Sequence, residues 1–449
     1  MENKFYMSDG TINYFHKWFS DIYSEKYPEN RITETRVKTI TVVNTEECNF
    51  DCTYCYQCQK TPKILTKETA KKIVDFVLDD EKLNGYVDST ESPCVIFDFI
   101  GGEPLLNIEV LDYFVEYFKY KSTQIGHIWQ TNYKISIASN GSLYRDKKVQ
   151  EFLKKNKGRV SLGITIDGNK DLHDACRVYK NGEGTYDDVI KSVKLWIEQE
   201  KEIGTFPMTK ATWSPENLSY LVDSLIHLFN LGITVVPANV VFEDVWSIQD
   251  AKSYYKLLKE LSDRILDEEW YKTNYCTVFS EQIGTPIPES ENSNWCGGDG
   301  KMMAFDTECN IYPCLRYMKY CFSTPDRKPL IIGNIDTKVG NSPCHCKAID
   351  GLNEITRRSQ STEKCFNCPV ARGCAWCSAF NYDIYGTANK RTTFHCEMHQ
   401  ARVLANTYFW NKLYDKLNIL KSFPLHLPKE WALNIIDGEE YKLLKKMSE

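Results

Sequence analysis

Cys48, Cys52 and Cys55 form a C-x3-C-x2-C run just after the apolar stretch Ile40-Thr41-Val42-Val43. Three thiolates can hold three corners of an iron–sulfur cube that normally takes four cysteines, which leaves one iron open. An open metal position is a place to bind and activate a small molecule, as in catalytic zinc sites that keep one position free of protein ligands. Three clustered thiols also suit a zinc knuckle, so the decision between the two rests on the motifs that follow. Eighteen cysteines occur in the 449 residues, and in a reducing cytosol such a number points to metal or redox chemistry rather than disulfides. They are unevenly spread. Four lie between Cys48 and Cys58, only Cys94 and Cys176 follow in the next two hundred residues, and twelve lie between Cys276 and Cys396. The gradient predicts an early site, a metal-free body and a metal-rich C-terminal module.

The elements that must position the first site alternate in type. Thr66 can cap a helix with Ala70, Ile73, Val74, Val77 and Leu78 on one face. Val95 to Ile100 reads as a buried strand ending at Gly101-Gly102, and Asn107 opens a helix carrying Leu111, Phe114, Val115 and Phe118. Further strands are expected at Ile135–Ala138, Val160–Ile166, Met208–Thr212 and Thr234–Val241, with Ser214 and Pro215 starting a helix that runs to Phe229. Six strands in βα alternation imply a parallel sheet with its ligand site at the carboxyl ends of the strands. Six units are too few for a closed eight-stranded barrel, so an open, partial barrel is expected. A short helix is expected around Tyr14 to Phe19.

With 55 basic and 61 acidic residues the net charge is -6, which argues against a nucleic-acid partner held through phosphates. The N-terminal residues lack the basic and apolar regions of a signal peptide, and no stretch approaches ~20 apolar residues. A soluble, cytoplasmic protein without a membrane partner is the expectation.

Together, the cysteine loop after the first strand, Gly101-Gly102-Glu103-Pro104 after the second, Ser139-Asn140-Gly141 after the third and Thr165-Ile166-Asp167-Gly168 after the fourth resemble a radical S-adenosylmethionine (radical SAM) enzyme. The resemblance implies that Cys48, Cys52 and Cys55 hold a [4Fe-4S] cluster whose free iron is chelated by SAM, with Tyr54 near the adenine. It also implies that Gly101, Gly102, Glu103 and Pro104 engage the methionyl amine, where the acidic Glu103 suits a cation. Ser139, Asn140, Thr165 and Asp167 would lie near the ligand. His173-Asp174-x2-Arg177 resembles a signature of peptide-modifying members, and Arg177 could pair with the SAM carboxylate. A surface ion pair is the plainer reading of Asp174 and Arg177. Cys58 is read as a loop thiol, since a fourth protein ligand would compete with SAM.

The second half resembles a SPASM domain, whose seven-cysteine motif holds two auxiliary [4Fe-4S] clusters. Carried over by order, Cys296, Cys314 and Cys377 would bind cluster I, and Cys365, Cys368, Cys374 and Cys396 cluster II. Two departures stand out: Cys309 occupies a position where the family usually has glycine, and two residues rather than three separate Cys374 from Cys377. Cluster I lacks a fourth ligand by this count. Cys309, Cys276, Cys321 and the Cys344-His345-Cys346 pair are candidates, with Cys309 favoured, unless an iron stays open for a substrate thiol. Zinc is the competing metal for the CxxC pairs.

The resemblance therefore implies a partial (β/α)6 barrel over residues 37–267, after an N-terminal extension of 1–36, then a linker (268–295), a SPASM module (296–410) and a tail (411–449). The activity implied is reductive SAM cleavage to a 5′-deoxyadenosyl radical that takes hydrogen from a ribosomally made, cysteine-containing peptide and leads to a thioether. The resemblance implies three clusters, SAM and a reducing partner such as flavodoxin or ferredoxin. Carbon–carbon crosslinking, epimerisation and sulfatase maturation remain alternatives, as does a non-enzymatic electron carrier. Sulfatase maturases carry an aspartate as base after the second motif cysteine, where this chain has Leu315. No catalytic side chain is assigned. Many peptide maturases carry an N-terminal leader-binding module of about eighty residues, longer than the stretch before the first strand here, so leader recognition is expected to use another surface or protein. Protein purified without oxygen should be brown and hold about twelve irons, three cubes of four; stoichiometric zinc with little iron would overturn the metal assignment.

Overall fold

A computed structural model describes residues 37–449 except 242, 244, 295, 297–301 and 375. The short helix expected at Tyr14 to Phe19 lies outside the described residues. Strands β1 (Val37–Thr45), β2 (Cys94–Gly101), β3 (Tyr133–Ser139) and β4 (Val160–Ile164) run parallel and adjacent, with Val42 opposite Phe99, Phe99 opposite Ile137 and Ser139 opposite Ile164. Helices α1 (Lys67–Val77), α2 (Ile108–Gln124) and α3 (Lys147–Lys155) connect them. A parallel sheet is covered by its crossover helices, which is why these strands read as continuous apolar runs. The α2 rings of Phe114 and Phe118 pack edge-on against Phe97 of β2, at 5.2 and 4.7 Å.

Thr66 caps α1 as expected, accepting from the Thr69 amide. Asn107 does something else. Its amide donates to the carbonyls of Asn44 and Leu65 at 3.1 and 2.9 Å, while the Asn44 amide donates to Pro104 and Asn107 carbonyls at 2.7 and 3.0 Å. The end of β1 is thereby tied to the turn after β2, and α2 starts without a side-chain cap.

Helices α4 (Lys170–Cys176) and α5 (Tyr186–Ile203) follow β4. Beyond β4 the ladder is replaced by one side chain: the Thr209 hydroxyl donates to the Ile164 carbonyl (2.8 Å) and accepts from the Ile166 amide (3.0 Å). The fifth strand, β5, is Ala211–Trp213 rather than the 208–212 expected. The helix expected over 215–229 starts as a 3-10 segment, Pro215–Tyr220, before becoming α6 (Leu221–Leu231). The sixth strand is broken into β6 (Val235–Val236) and β7 (Ala238–Val240) at Pro237, which has no amide to give a ladder. β7 pairs with β5 and β6 with β8 (Tyr275–Cys276), so part of the stretch assigned to a linker belongs to the sheet system.

The C-terminal module joins this sheet directly. β9 (Met303–Phe305) lies parallel to β1, with Ile40 opposite Met303, and β10 (Asn310–Tyr312) and β11 (Gly333–Asn334) continue antiparallel to give the order β11-β10-β9-β1-β2-β3-β4. Pairing at β1 covers what would be an exposed strand edge. After α7 (Ile248–Asp267) and α8 (Ser378–Tyr385), the helix α9 (Cys396–Leu417) packs along α7, where Asp263 accepts from Tyr408 and Lys412 at 2.8 Å each. Residues past 417 fold back on this pair: Glu440 accepts from Lys259 at 2.7 Å. Among the described residues no helix is long and apolar enough to cross a membrane.

The tightest point of the architecture is the glycine pair at the end of β2. A Cβ on Gly101 (φ +150°) would meet the Thr45 carbonyl oxygen at 1.9 Å, and one on Gly102 would meet the Glu47 oxygen at 2.0 Å and the Cys48 nitrogen at 2.7 Å. Gly102→Ala should therefore push the cysteine loop away at a cost of ~1–3 kcal/mol. We expect a lower unfolding midpoint and lost iron with an intact far-ultraviolet dichroism spectrum; unchanged iron content would show that the loop does not depend on this contact.

Candidate functional site

The cysteine loop is held by its backbone on one side and by an amide side chain on the other. Asp51 and Thr53 amides donate to the carbonyls of Val178 and Cys176 at 2.8 and 2.9 Å, at the end of α4, and the Phe50 ring stands edge-on to Tyr179. From the turn after β3, Asn140 Nδ2 donates to Asn49 Oδ1 at 2.8 Å and lies 3.8 Å from the Cys48 sulfur. Burial raises the Cys52 thiol to about 11 despite the pull of Arg177, and it raises the Cys48 thiol as well. A bound metal must offset that cost to hold them as thiolates.

Glu103 is completely buried. Its carboxylate accepts from the Asn140 amide (2.6 Å), the Ser139 hydroxyl (2.9 Å) and the Leu105 amide (3.1 Å), which ties the turn after β2 to the turn after β3. Burial raises it to about 7 despite these donors and Arg177. Pro104 begins the 3-10 turn Pro104–Asn107 behind it. Gln57 adds a further tie, donating to the Gly101 carbonyl at 2.7 Å.

Tyr54, Asp167 and Arg177 form one buried unit. Arg177 donates to the Tyr54 hydroxyl at 2.7 Å, and that hydroxyl donates to Asp167 Oδ2 at 2.6 Å. Arg177 Nε and Asp167 Oδ1 are buried without a hydrogen-bond partner. Unsatisfied atoms of this kind are expensive in a finished core and mark places where a polar ligand completes the site. Arg177 is thus no surface residue. Asp174 differs: it pairs with Lys170 at 2.8 Å and accepts the Tyr186 amide at 2.8 Å, while His173 meets Thr185, whose hydroxyl donates to the Arg177 carbonyl. The His173 and Asp174 side chains shape the bend that delivers Arg177.

These pieces surround a cavity of about 520 Å³ lined by Cys48, Cys52, Tyr54, Cys55, Gly101, Gly102, Ser139, Asn140, Thr165, Asp167 and Arg177. Gly101 to Arg177 arrive from the carboxyl ends of β2, β3 and β4, as the alternating pattern requires. Sequence reasoning singles out Cys377 and Leu315 but does not place the rest of the wall. It is built by Tyr56, Gln57 and Lys60 after the cysteine loop, Lys210, Thr212, Asn239 and Glu243 from the later strands, and Leu315, Arg316 and Cys377 from the C-terminal module. Arg316 forms an ion pair with Glu243 and stacks on Tyr56, 4.6 Å from the ring centre. Polar residues close behind Cys55 and at the end of the fifth strand carried a local signal; Arg316 and Glu243 carried none, because only tertiary packing brings them here.

Residues 42–225 match the model of the Radical SAM superfamily. That segment is a radical SAM domain. The chain is 26% identical over 350 residues to the serine-type anaerobic sulfatase-maturating enzyme of Bacteroides thetaiotaomicron, covering 73% of this chain and 78% of that one. Its fold is similar to native anSMEcpe with bound AdoMet and Kp18Cys peptide (TM-score 0.57, 16% identity, covering 85% of this chain and 99% of that one). It is also similar to Streptococcus suis SuiB bound to the precursor peptide SuiA (TM-score 0.53, 14% identity, 83% and 78%).

Outside the radical SAM domain, Cys365, Cys368, Cys374 and Cys396 together line a second cavity of about 260 Å³. Cys314 is raised by burial and then by its neighbours Cys377 and Cys296, so these three thiols form another group. An asparagine organises the latter: Asn294 Oδ1 accepts from Trp376 at 3.0 Å, Gln360 at 3.2 Å and the Cys296 amide at 3.5 Å. Cys309 does not join them. It sits in the β9–β10 turn with φ +73°, and its electrostatic neighbours are Asp336, Lys72, Asp306 and Thr69. The turn needs the left-handed conformation that glycine adopts most easily, and this aims the side chain toward α1. Cys321 is the thiol found near Cys314, buried in the same apolar group with Cys377 packed against it. Cys276 is buried near Tyr254 and Arg402, whereas Cys58, Cys344 and Cys346 are exposed.

Among the described residues no three Cys, His, Asp or Glu side chains converge on a single-ion site. Cys48, Cys52 and Cys55 line one cavity and Cys365, Cys368, Cys374 and Cys396 another, donor sets that suit clusters with one thiolate per iron. The buried Glu103 supplies a pH test. Its raised position means that between about 4.5 and 7 the folded protein holds a proton the unfolded chain has lost, so stability falls as pH rises through that window. The full loss is on the order of 3 kcal/mol. Anaerobic urea denaturation should show this decline and Glu103→Gln should flatten it; an identical slope in the variant would mean that Glu103 does not carry the proton.

Proposed function

We propose that the chain is a radical SAM peptide maturase, acting in the cytoplasm, that takes a hydrogen from a cysteine-containing precursor peptide and closes a thioether. The observation that carries this reading is the shared cavity: Cys377 of the C-terminal module lines the same space as Cys48, Cys52 and Cys55. When bound, SAM and three iron–sulfur clusters supply the radical that takes the substrate hydrogen and an acceptor for the further electron that C–S closure releases. An electron donor of the flavodoxin or ferredoxin class starts the cycle.

The chain's own residues divide the work. Cys48, Cys52 and Cys55 hold the radical-forming cluster, with Cys296, Cys314 and Cys377 for a second and Cys365, Cys368, Cys374 and Cys396 for a third. The unsatisfied Arg177 Nε and Asp167 Oδ1 offer charged contacts to SAM beside Tyr54, and Gly101 and Gly102 leave its backbone cradle open. Pro104 and Glu103 hold that cradle against Ser139 and Asn140, and Thr165 completes its floor. Lys210, Glu243 and Arg316 face the peptide. The wall removes bulk water so that the reacting atoms meet in one geometry.

Leu315 places an alkyl side chain in the cavity next to Cys314, where a carboxylate base would serve serine or cysteine oxidation. A specific similarity nevertheless keeps formylglycine formation as the second reading, namely the relationship to the sulfatase-maturating enzyme across most of its length. The reconstituted protein should be incubated with SAM, dithionite and two peptides, a small cysteine-containing precursor peptide and a sulfatase-derived serine or cysteine peptide. Loss of two hydrogens with one peptide cysteine no longer alkylatable supports the thioether. An aldehyde on the sulfatase peptide overturns it in favour of maturation, and a two-hydrogen loss with every cysteine still alkylatable overturns it in favour of a carbon–carbon bond.

A further inference from the structure

Arg391 lies outside every motif in the sequence and does not reach the radical SAM cavity. It lines the smaller cavity ringed by Cys365, Cys368, Cys374 and Cys396. Its Nη2 stands 3.0 Å from the Cys374 sulfur and 3.2 Å from the Cys374 carbonyl oxygen. The guanidinium is clamped, with its carbon 4.0 Å above the Trp376 ring centre and its backbone amide donating to the Gln360 carbonyl at 2.9 Å. A planar, permanently charged fork stacked on an indole is the geometry in which arginine loses little freedom on making its bonds.

We propose that Arg391 sets the reduction potential of the iron–sulfur cluster held at Cys374, raising it by donating to that ligand's sulfur. The proposal rests on the reading that these four cysteines carry a cluster. Reduction adds negative charge to a cluster whose thiolates are already anionic, so a fixed cation and an N–H···S bond favour the reduced form; hydrogen bonds to sulfur and net charge are the protein's levers on such potentials. The other charged groups around the cavity are placed less directly. Lys364 lies over the Trp431 ring at 4.9 Å, Glu397 lines the wall with opposite sign, and His399 is buried with its Nε2 donating to the Val370 carbonyl at 2.6 Å. His395 lines the wall too. Arg391 bonds the Cys374 sulfur directly.

The position of Cys374 gives the potential a consequence. Only two residues separate it from Cys377, which belongs to the other thiol group and faces the radical SAM cavity. A cluster at Cys374 that is easier to reduce than its neighbour at Cys377 is the downhill end of that short link. Arg391 is accordingly a positioning and tuning residue, not a catalytic one.

The test uses the full-length, anaerobically reconstituted protein, its iron count, and a potentiometric titration followed by electron paramagnetic resonance, for wild type, Arg391→Leu and Arg391→Lys. The expected result is full iron content with one midpoint moved to lower potential in Arg391→Leu, the others unchanged, and a smaller move in Arg391→Lys, which keeps the charge but loses the fork. Unchanged midpoints at full iron overturn the proposal. Loss of one cluster's iron in both variants overturns it in favour of a purely structural clamp. If wild type itself lacks iron at this site, as a Cys365→Ala/Cys368→Ala protein with the same iron content would reveal, the failure belongs to the cluster reading and not to Arg391.

Discussion

Everything at the active end of the molecule depends on how closely the backbone after β2 approaches the backbone after β1. The Gly102 amide donates to the Thr45 carbonyl and the Glu103 amide to the Glu47 carbonyl, both at 2.9 Å, at a place where no side chain fits. These two bonds fix the start of the cysteine loop against the next strand. Asn44 then holds the far side of the same turn through Pro104 and Asn107. A loop of three thiols with no regular secondary structure acquires a defined place because its start is tied to rigid strands, and because the carbonyls of Cys176 and Val178 take its Thr53 and Asp51 amides.

Charge is handled by sharing rather than by pairing with solvent. Glu103 is surrounded by three donors, one of them the hydroxyl of Ser139, and the Tyr54 hydroxyl mediates between Asp167 and Arg177. Both arrangements cost desolvation, but only the second leaves capacity for a ligand: Asp167 Oδ1 and Arg177 Nε lack partners, whereas both Glu103 oxygens are bonded. The Asp167 and Arg177 atoms differ from the unsatisfied atoms elsewhere among the described residues in that both residues line the cavity beside the cysteine loop.

The two halves of the chain are one structure. β9 extends the barrel sheet at β1, α9 lies along α7, and Arg316 reaches Glu243 and Tyr56 across the cavity. The thiols of the C-terminal module are therefore placed by the barrel rather than hung from it. This explains how Cys377 comes to line the radical SAM cavity although it follows Cys55 by more than three hundred residues.

The sequence by itself determined the local features: the C-x3-C-x2-C loop after a strand, the glycine pair closing the next, and the βα alternation, whereas the grouping of Cys365, Cys368, Cys374 and Cys396 came from the family resemblance. The first three are short-range patterns, in which residue type and spacing fix backbone geometry and side-chain periodicity directly. Tertiary structure alone decided the rest. It buried Arg177 behind Tyr54, turned Cys309 away from Cys314 through a left-handed backbone, and brought Cys321 near instead. It also broke the sixth strand at Pro237 and substituted the Thr209 hydroxyl for a ladder. The physical reason is common to all of them: each outcome depends on which distant surface packs against the residue, and spacing along the chain carries no record of that.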